Sequence, residues 1–98
     1  MTLKIKWTGR AINDFDSILK FLESEWNKKV LIKFIRILTS KLDLISFFPG
    51  IGVRIFEDKD VRAISITKHS RLYYRLKNNT IVILRIFDTR KDPSKFTF

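Results

Sequence analysis

The stretch FFPGIG, Phe47 to Gly52, divides the sequence into a helical part and a strand part. Pro49 cannot continue a helix because it lacks a backbone N–H, and Gly50 and Gly52 permit turn conformations. Before this stretch, apolar residues recur at helical spacing, and after it every segment has the pattern of a strand or a turn. This order of elements predicts an α+β domain.

A short strand and two helices are predicted before the turn. TLKIKWT, at residues 2–8, alternates apolar and polar residues, which is typical of a half-buried strand. Thr8 can cap a first helix from about Arg10 to Trp26, and Asn27 separates it from a second helix, Lys28 to about Ser46. A link this short predicts antiparallel packing.

Helical spacing also assigns the residues of each helix to a face. We expect Trp7 of the strand and Trp26 to lie in the core, and the acidic residues Asp14, Asp16, Glu23 and Glu25 to lie on the outside of the first helix. The expected inner-face residues are Ile12, Phe15, Leu19, Leu22 and Trp26 in the first helix, and Leu31, Phe34, Ile35, Leu38, Leu42 and Ile45 in the second.

Four strands are predicted after the turn: VRIF, VRAISIT, RLYYRL and IVILRIF. They are separated by a charged turn EDKD, a turn at Lys68–Ser70 and a hairpin loop KNNT. With 98 residues there is room for one core, so we expect a single domain over residues 1–98. The predicted fold class is α+β: an N-terminal strand, an antiparallel two-helix hairpin, then a mainly antiparallel sheet of about four strands with the hairpin on one face.

The charge of the chain indicates the kind of partner. Lys and Arg number 20 against 10 Asp and Glu, which gives a formal net charge of +10. So large an excess of positive charge on one small domain attracts polyanions, whether nucleic acid, the ribosome or an acidic protein segment. A basic surface that serves only solubility is the alternative.

Missing residue types exclude several kinds of site. The sequence has no cysteine, so disulfides and thiolate metal sites are excluded. With His69 as the single histidine we do not expect a histidine metal site, and we expect neither a metal nor a cofactor. The N-terminus, MTLKIKWTGR, lacks the continuous apolar run of a signal peptide, and no segment is long and apolar enough to span a bilayer. We expect a cytoplasmic protein with no membrane partner.

Arginines recur along the predicted strands. Side chains alternate between the two faces of a strand, so RLYYRL directs Tyr74 and the two leucines to one face and Arg71, Tyr73 and Arg75 to the other. We expect this second set to lie on the sheet face that the helices leave open. Guanidinium groups suit phosphate and carboxylate, and an aromatic ring can stack on a base. The predicted partner- or phosphate-binding residues are Arg62, Arg71, Arg75, Arg85 and Arg90, with Tyr73 beside them.

The last strand and its turn, IVILRIFDTRKDP, leave two alternatives open for each arginine. Arg85 either joins the open-face cluster or pairs with an acid such as Asp88. Arg90 either forms a local network with Asp88 and Asp92 or projects from the turn towards a partner. Of the arginines, Arg90 is the one that we expect to project.

Three further side chains are candidates for proton transfer, each with a structural alternative. The imidazole of His69 can accept a proton near neutral pH, but its place between strands predicts a solvated turn residue. Tyr74 is expected in the core with a satisfied hydroxyl group, and Tyr73 suits either role. Phe96 and Phe98 either cover the sheet edge or contact a partner.

In this order and spacing the sequence resembles the RelE/ParE superfamily of bacterial type II toxin–antitoxin toxins. The resemblance covers nearly the whole chain: W-T-x-x-A with D-F-D-S-I, then F-P-G-I-G, V-R, R-L-Y-Y-R and I-V-I-L-R-I-F-D-T-R-K-D-P. It implies the same α+β fold in a small basic toxin. It also implies a cognate antitoxin, encoded beside the toxin, that holds it inactive in a hetero-oligomer.

The superfamily divides on mechanism. Members that resemble RelE cut messenger RNA on the ribosome without a metal, with the ribose 2′-hydroxyl as nucleophile, which requires a phosphate-binding cation and groups that accept and donate a proton. The resemblance places Arg62, Arg71 and Arg90 near the basic residues of such a nuclease, and leaves Tyr73 and His69 as proton carriers.

The C-terminal segment departs from the nuclease pattern. Family nucleases commonly carry a tyrosine or histidine shortly after the final arginine, whereas RKDPSKFTF offers Phe96 and Phe98, which cannot exchange a proton. This departure favours a ParE-like inhibitor of DNA gyrase, and leaves ribosome-dependent mRNA cleavage as the alternative. A non-enzymatic nucleic-acid-binding module also fits the charge, although no helix-turn-helix, glycine-rich RNA-binding or zinc pattern supports it.

Overall fold

The computed structural model describes residues 2–56 and 60–90. Its elements follow in the order that the sequence predicts, and the α+β fold class is confirmed. The EDKD turn lies largely outside the described residues, as do Asp92, Phe96 and Phe98. The elements are β1 (Lys4–Trp7), α1 (Gly9–Glu25), α2 (Lys28–Phe47), β2 (Val53–Phe56), β3 (Val61–Thr67), β4 (Ser70–Lys77) and β5 (Thr80–Asp88).

The strands form one sheet in the order β1-β5-β4-β3-β2. Neighbouring strands from β2 to β5 are antiparallel, and β1 alone is parallel to its neighbour, pairing from Lys4 opposite Thr80 to Trp7 opposite Ile83. The first strand therefore lies beside the last, a pairing that no local sequence pattern predicts. No helix among the described residues has the length and apolar character needed to cross a bilayer.

Both helices begin at a polar cap, which the sequence predicts at Thr8 but not at Asn27. Thr8 Oγ1 accepts a hydrogen bond from the backbone N–H of Ala11 at 3.1 Å, and Asn27 Oδ1 accepts one from Val30 at 3.0 Å. Each cap satisfies a donor that the first turn of a helix leaves without a partner. Asn27 thus ends the first helix and starts the second, and the two helices pack against each other.

The core lies between the helical hairpin and one face of the sheet. Trp7 packs at its margin, with its ring centroid 5.5 Å from that of Phe15. Deep burial of these side chains supplies most of the favourable free energy of folding. The buried members of the core are Ala11, Ile18, Leu22, Phe34, Leu38, Ile45, Ile66, Leu72, Tyr74, Ile81, Ile83 and Ile86.

The inner face of α1 differs from the prediction. Ile12 is 53% exposed and Trp26 is 50% exposed, so the assignment of both to the core is wrong, as is that of Ile35 in α2, which is 38% exposed. The buried stripe instead contains Ala11 and Ile18. The other predicted residues of α1 are confirmed, since Leu22 is buried and Phe15 and Leu19 pack against the core. The periodicity gave the face only in part, because apolar residues occur on more than one side of α1 and a carboxylate lies within the buried stripe.

That carboxylate belongs to Asp14, which lies beside the last strand. β1 ends at Trp7, opposite Ile83. Beyond this point no strand formed by the described residues pairs with the outer edge of β5. Thr8 donates its N–H and its hydroxyl to the carbonyl of Ile83 at 3.1 and 2.9 Å, and Asp14 Oδ2 accepts the N–H of Ile86 at 3.1 Å. The start of α1 thereby satisfies backbone groups that a neighbouring strand would otherwise bind.

Arg85 binds the same carboxylate. Its Nε lies 2.6 Å from Asp14 Oδ2 and its Nη2 lies 3.0 Å from Oδ1, and the two side chains are 14% and 17% exposed. The hydrogen bond with Asp14 raises the pKa of Arg85 above its ordinary value. The structure therefore pairs Arg85 with Asp14, not with Asp88, and it corrects the expectation that Asp14 faces solvent.

A second long-range contact fixes the turn that divides the chain. The hydroxyl of Tyr74 donates to the carbonyl of Pro49 at 2.8 Å and accepts the N–H of Gly52 at 2.9 Å. A Cβ atom on Gly52 would lie 2.6 Å from that hydroxyl oxygen, so the close approach requires glycine. The prediction of a core tyrosine with a satisfied hydroxyl is confirmed.

We predict that Asp14→Ala destabilises the protein by about 2–4 kcal/mol, because it leaves the largely buried guanidinium of Arg85 and the N–H of Ile86 without their acceptor. Asp16→Ala is the matched control, since Asp16 forms an exposed pair with Lys20 on the same helix and its loss should change stability by less than about 0.5 kcal/mol. Urea unfolding measures both. Equal midpoints for the two variants would contradict the assigned role of Asp14.

We also predict that Tyr74→Phe lowers stability by about 1–3 kcal/mol at neutral pH, since the Gly52 N–H loses its acceptor. Burial raises the pKa of Tyr74 above its ordinary value of 10.0. The unfolded chain therefore loses the tyrosine proton before the folded protein does, and this contribution to stability falls as pH rises above about 10. Thermal unfolding at pH 7 to 11 should show the difference between wild type and Tyr74→Phe shrinking; a constant difference would contradict it.

Candidate functional site

Arg62 lies away from the predicted open-face cluster. It stands directly opposite Tyr74 in the β3–β4 register, so both side chains lie on the same face of the sheet. Its Nη1 donates to the carbonyls of Gly50 and Gly52 at 3.2 and 2.9 Å, and its Nε is 4.0 Å from Asp60. The expectation that Arg62 joins the cluster is wrong, because this guanidinium stabilises the FFPGIG turn.

Arg90 does not project into solvent. Asp88, whose side chain is fully buried, accepts hydrogen bonds from Arg90 Nε at 3.0 Å, Nη2 at 2.6 Å and the backbone N–H at 2.8 Å. The guanidinium carbon lies 5.5 Å from the ring centroid of Trp26, within the range of a cation–π contact, and only 13% of the side chain is exposed. Of the two alternatives for Arg90, the structure shows the local network, in the part formed with Asp88.

The remaining candidates lie around a cavity of about 340 Å³ beside the β3–β4 turn. Ser65 of β3, Arg71 of β4 and Phe87 of β5 stand opposite one another in the strand register at this point, so they form one row across the sheet. Arg71 is exposed, as predicted, whereas Tyr73 is only 7% exposed. The cavity is lined by Ser65, Thr67, Lys68, His69, Ser70, Arg71, Tyr73, Phe87 and Thr89. We call it the open-face cavity.

Hydroxyl groups hold the turn at its rim. Thr67 Oγ1 and Ser70 Oγ are 2.8 Å apart and share a hydrogen bond, and Thr67 Oγ1 also accepts the N–H of His69 at 3.1 Å. The carbonyl of His69 accepts the N–H of Thr89 at 2.7 Å, which joins the turn to the end of β5. These bonds fix the backbone from which Lys68 and His69 extend, and His69 occupies a turn, as predicted.

The cavity brings cationic side chains together with side chains that can exchange a proton. Arg71 and Lys68 supply positive charge, while His69 and Tyr73 carry groups able to exchange a proton. Arg75 is half-buried and stands opposite Val61 of β3 and Val82 of β5 in the strand register. It is not among the residues that line the cavity. The structure thus lines one cavity with Arg71, Tyr73 and His69 of the predicted set, and leaves Arg62, Arg75, Arg85 and Arg90 outside its lining. Arg85 stands opposite Tyr73 in the β4–β5 register, but its guanidinium binds Asp14.

Sequence reasoning missed Lys68 and Phe87 as members of this site. Lys68 was assigned only to a turn, and Phe87 belongs to an apolar run whose facing cannot be read without the β4–β5 register. Tyr74, by contrast, is removed from the proton-transfer candidates, because its hydroxyl is buried and binds the FFPGIG turn. Within residues 2–56 and 60–90, no three His, Cys, Asp or Glu side chains are grouped so as to hold a metal ion.

Known structures share this fold. The chromosomal ParDE toxin–antitoxin system of P. aeruginosa matches with a TM-score of 0.72 and 23% identity over 89% of this chain and 96% of that chain. Free E. coli toxin RelE matches with a TM-score of 0.62 and 14% identity, over 95% of this chain and 90% of that chain. The RelBE2 complex of Mycobacterium tuberculosis matches with a TM-score of 0.59 and 18% identity, over 90% of this chain and 99% of that chain. A search among curated proteins finds no significant match.

A family model, described as the ParE toxin of the type II toxin–antitoxin system parDE, matches residues 5–93. The match runs from β1, through the helical hairpin and the FFPGIG turn, and past the end of β5. The chain therefore belongs to the ParE toxin family of type II toxin–antitoxin systems.

Proposed function

We propose that this toxin acts as a non-catalytic inhibitor of DNA gyrase. The observation that carries the proposal is that three of its arginines bind acceptors within the protein. Arg62 binds loop carbonyls, Arg85 binds Asp14 and Arg90 binds Asp88, so these three guanidinium groups serve the fold. Phosphoryl-transfer chemistry needs several preorganised charges aimed at one phosphate, whereas a binding module needs only a stable surface.

Ribosome-dependent cleavage of messenger RNA is the second candidate. The open-face cavity favours it, because a cation, an imidazole and a phenol line one space of about 340 Å³ next to the ring of Phe87. In this alternative Arg71 or Lys68 binds the phosphate, His69 or Tyr73 exchanges the proton, and Phe87 stacks on a base. Gyrase inhibition is preferred, since Arg62 and Arg90 are absent from the lining of this cavity.

We also propose that an antitoxin encoded beside this chain neutralises it in a hetero-oligomer. The solved relatives include toxin–antitoxin complexes, among them RelBE2 of M. tuberculosis and DinJ–YafQ of E. coli. The formal charge of +10 supports an acidic partner, because complementary charge speeds association and selects the partner.

We predict that expression of this chain alone arrests bacterial growth and that co-expression of the adjacent gene restores it. The purified chain should inhibit supercoiling by gyrase and leave ribosome-bound messenger RNA intact. Growth curves, a supercoiling assay and primer extension on a translation extract measure these effects. Normal growth with confirmed soluble protein would contradict the toxin assignment, and codon-phased cleavage with unaffected gyrase would replace the proposed target with the second candidate.

Substitutions in the open-face cavity separate the two mechanisms. For a binding module, Arg71→Ala should weaken toxicity while His69→Ala has a small effect; for a nuclease, His69→Ala should lower the cleavage rate by about 10²–10⁴-fold. Both residues lie outside the core, so stability should change by less than about 0.5 kcal/mol. Lys77→Ala, at the exposed end of β4, is the charge-loss control. Toxicity equal to wild type in Arg71→Ala would exclude the cavity from target binding.

A further inference from the structure

The two edges of the sheet differ in character. β1 forms one edge, and its exposed residues Lys4 and Lys6 carry charges of the kind that keep an edge strand from pairing with another chain. β2 forms the other edge, and Val53, at its start, is 71% exposed. Among the described strands β2 pairs only with β3, so its outer side is available to a further strand. We call residues 51–55, on this outer side, the β2 edge.

The β2 edge is apolar. Ile51, Val53 and Ile55 recur at every second position and line one cavity of about 210 Å³, so they form an apolar stripe on one side of the strand. Ile51 is 48% exposed, and just before it in the chain Phe47 and Phe48 are 58% and 63% exposed. Large exposed apolar side chains that are gathered in one short segment are typical of an interaction site.

The charge of the β2 edge is locally balanced. Its one cationic side chain is that of Arg54, whose Nε lies 3.5 Å from Asp60 Oδ1. The chain as a whole has a formal charge of +10, which repels a second copy and attracts polyanions. The β2 edge contributes little to either effect, because its guanidinium is paired with a carboxylate and three of its residues are apolar. This edge therefore suits an apolar protein partner better than nucleic acid.

The start of the β2 edge is held in place. The hydroxyl of Tyr74 accepts the N–H of Gly52, and the carbonyl of Gly52 accepts a hydrogen bond from Arg62 Nη1, both at 2.9 Å. These contacts join the edge to β3 and β4 before any partner binds. A preorganised edge loses little conformational entropy on binding, which favours association even across a small contact.

We propose that the β2 edge pairs with the β2 edge of a second copy of this chain, antiparallel and about a two-fold axis at Val53. This register places Val53 opposite its own copy and Ile51 opposite Ile55, so the apolar stripes of the two copies meet. Arg54 lies opposite Gly52, which has no side chain to obstruct the guanidinium. A register centred on Arg54 would instead bring two guanidinium groups together, and like charges directly opposite are destabilising.

The contact between the two copies is short. The register of β2 with β3 shifts between Arg54 and Phe56, and an irregularity of this kind ends regular pairing along an edge. Pairing is therefore limited to residues 51–55 of each copy. An interface this small predicts a weak and reversible dimer, not an obligate one.

Pairing at the β2 edge also affects the open-face cavity. Ser65 and Arg71 line both that cavity and the smaller cavity beside the β2 edge, so the second copy lies next to the candidate target site. Because the two-fold axis crosses the sheet, both open faces point the same way. The two Arg71 residues then lie about 24 Å apart, at five strand spacings of roughly 4.8 Å. Two such sites on one surface raise the overall affinity for a target that contacts both.

Analytical ultracentrifugation of the purified full chain, over about a hundredfold range of concentration, tests the proposal. The average mass should rise from that of one chain towards that of two, and Val53→Lys should raise the dissociation constant by at least about tenfold. Ile12→Lys, the same change at an exposed apolar residue of α1, is the matched control and should change it by less than about twofold. Thermal unfolding confirms that both variants are folded.

Disulfide crosslinking tests the register. The sequence has no cysteine, so each cysteine variant carries a single thiol. Directly opposite residues of an antiparallel pair have Cα atoms about 4.5–5.5 Å apart, within the range that a disulfide spans. In oxidised glutathione, Val53→Cys should therefore crosslink to its own copy at least about tenfold faster than Ile12→Cys, and than Lys4→Cys at the other sheet edge.

Several results would overturn the inference. They are a mass of one chain at every concentration, a mass that keeps rising beyond two chains, a dimer that Val53→Lys leaves unchanged, and equal crosslinking rates for the three cysteine variants. None of these measurements involves gyrase, messenger RNA or the product of the adjacent gene. Failure of the inference therefore leaves the proposed function as it stands, and failure of the proposed function leaves the dimer as it stands.

Discussion

The position of the helical hairpin depends on the contact between Asp14 and the end of β5. One carboxylate accepts hydrogen bonds from the Ile86 N–H and from Nε and Nη2 of Arg85, at the point where β5 extends beyond its neighbour β1. This contact sets the side of α1 that faces the sheet. Because only Trp26 and Asn27 join α1 to α2, it also determines where α2 lies.

The positive charge of the chain is divided between two tasks. Arg62, Arg85 and Arg90 bind acceptors within the protein, in each case where a loop or a strand end needs hydrogen-bond donors. A planar guanidinium suits these places because it binds two acceptor atoms at once and stays protonated. The positive charge that lines the open-face cavity is supplied by Lys68 and Arg71. Net charge thus indicates a polyanionic partner, but it does not identify the residues that meet it.

Local patterns predicted the elements, and non-local contacts decided what the sequence could not. Caps, periodicity and turn residues gave all seven elements, including the hairpin loop, where Asn78 and Asn79 adopt φ of 51° and 60°. The face of α1 was predicted only in part, because its largely buried carboxylate serves Arg85, 71 residues away in sequence. Long-range contacts also remove Arg62 and Arg85 from the predicted cluster, whereas the Asp88 that binds Arg90 is a near neighbour that the sequence offered as an alternative. Strand alternation and turn position do bring Arg71, Tyr73 and His69 to one cavity, although Tyr73 is nearly buried.

The β3–β4 turn lies between the open-face cavity and the tip of the helical hairpin. Hydrogen bonds from Thr67, Ser70 and Thr89 hold its backbone, so the turn has little freedom to move aside for one ligand when another is bound. Two ligands that both contact Lys68 and His69 must compete for them, and this competition requires no change of conformation. A molecule bound against this turn from the side of the hairpin would therefore exclude a second ligand from the open-face cavity without altering the fold.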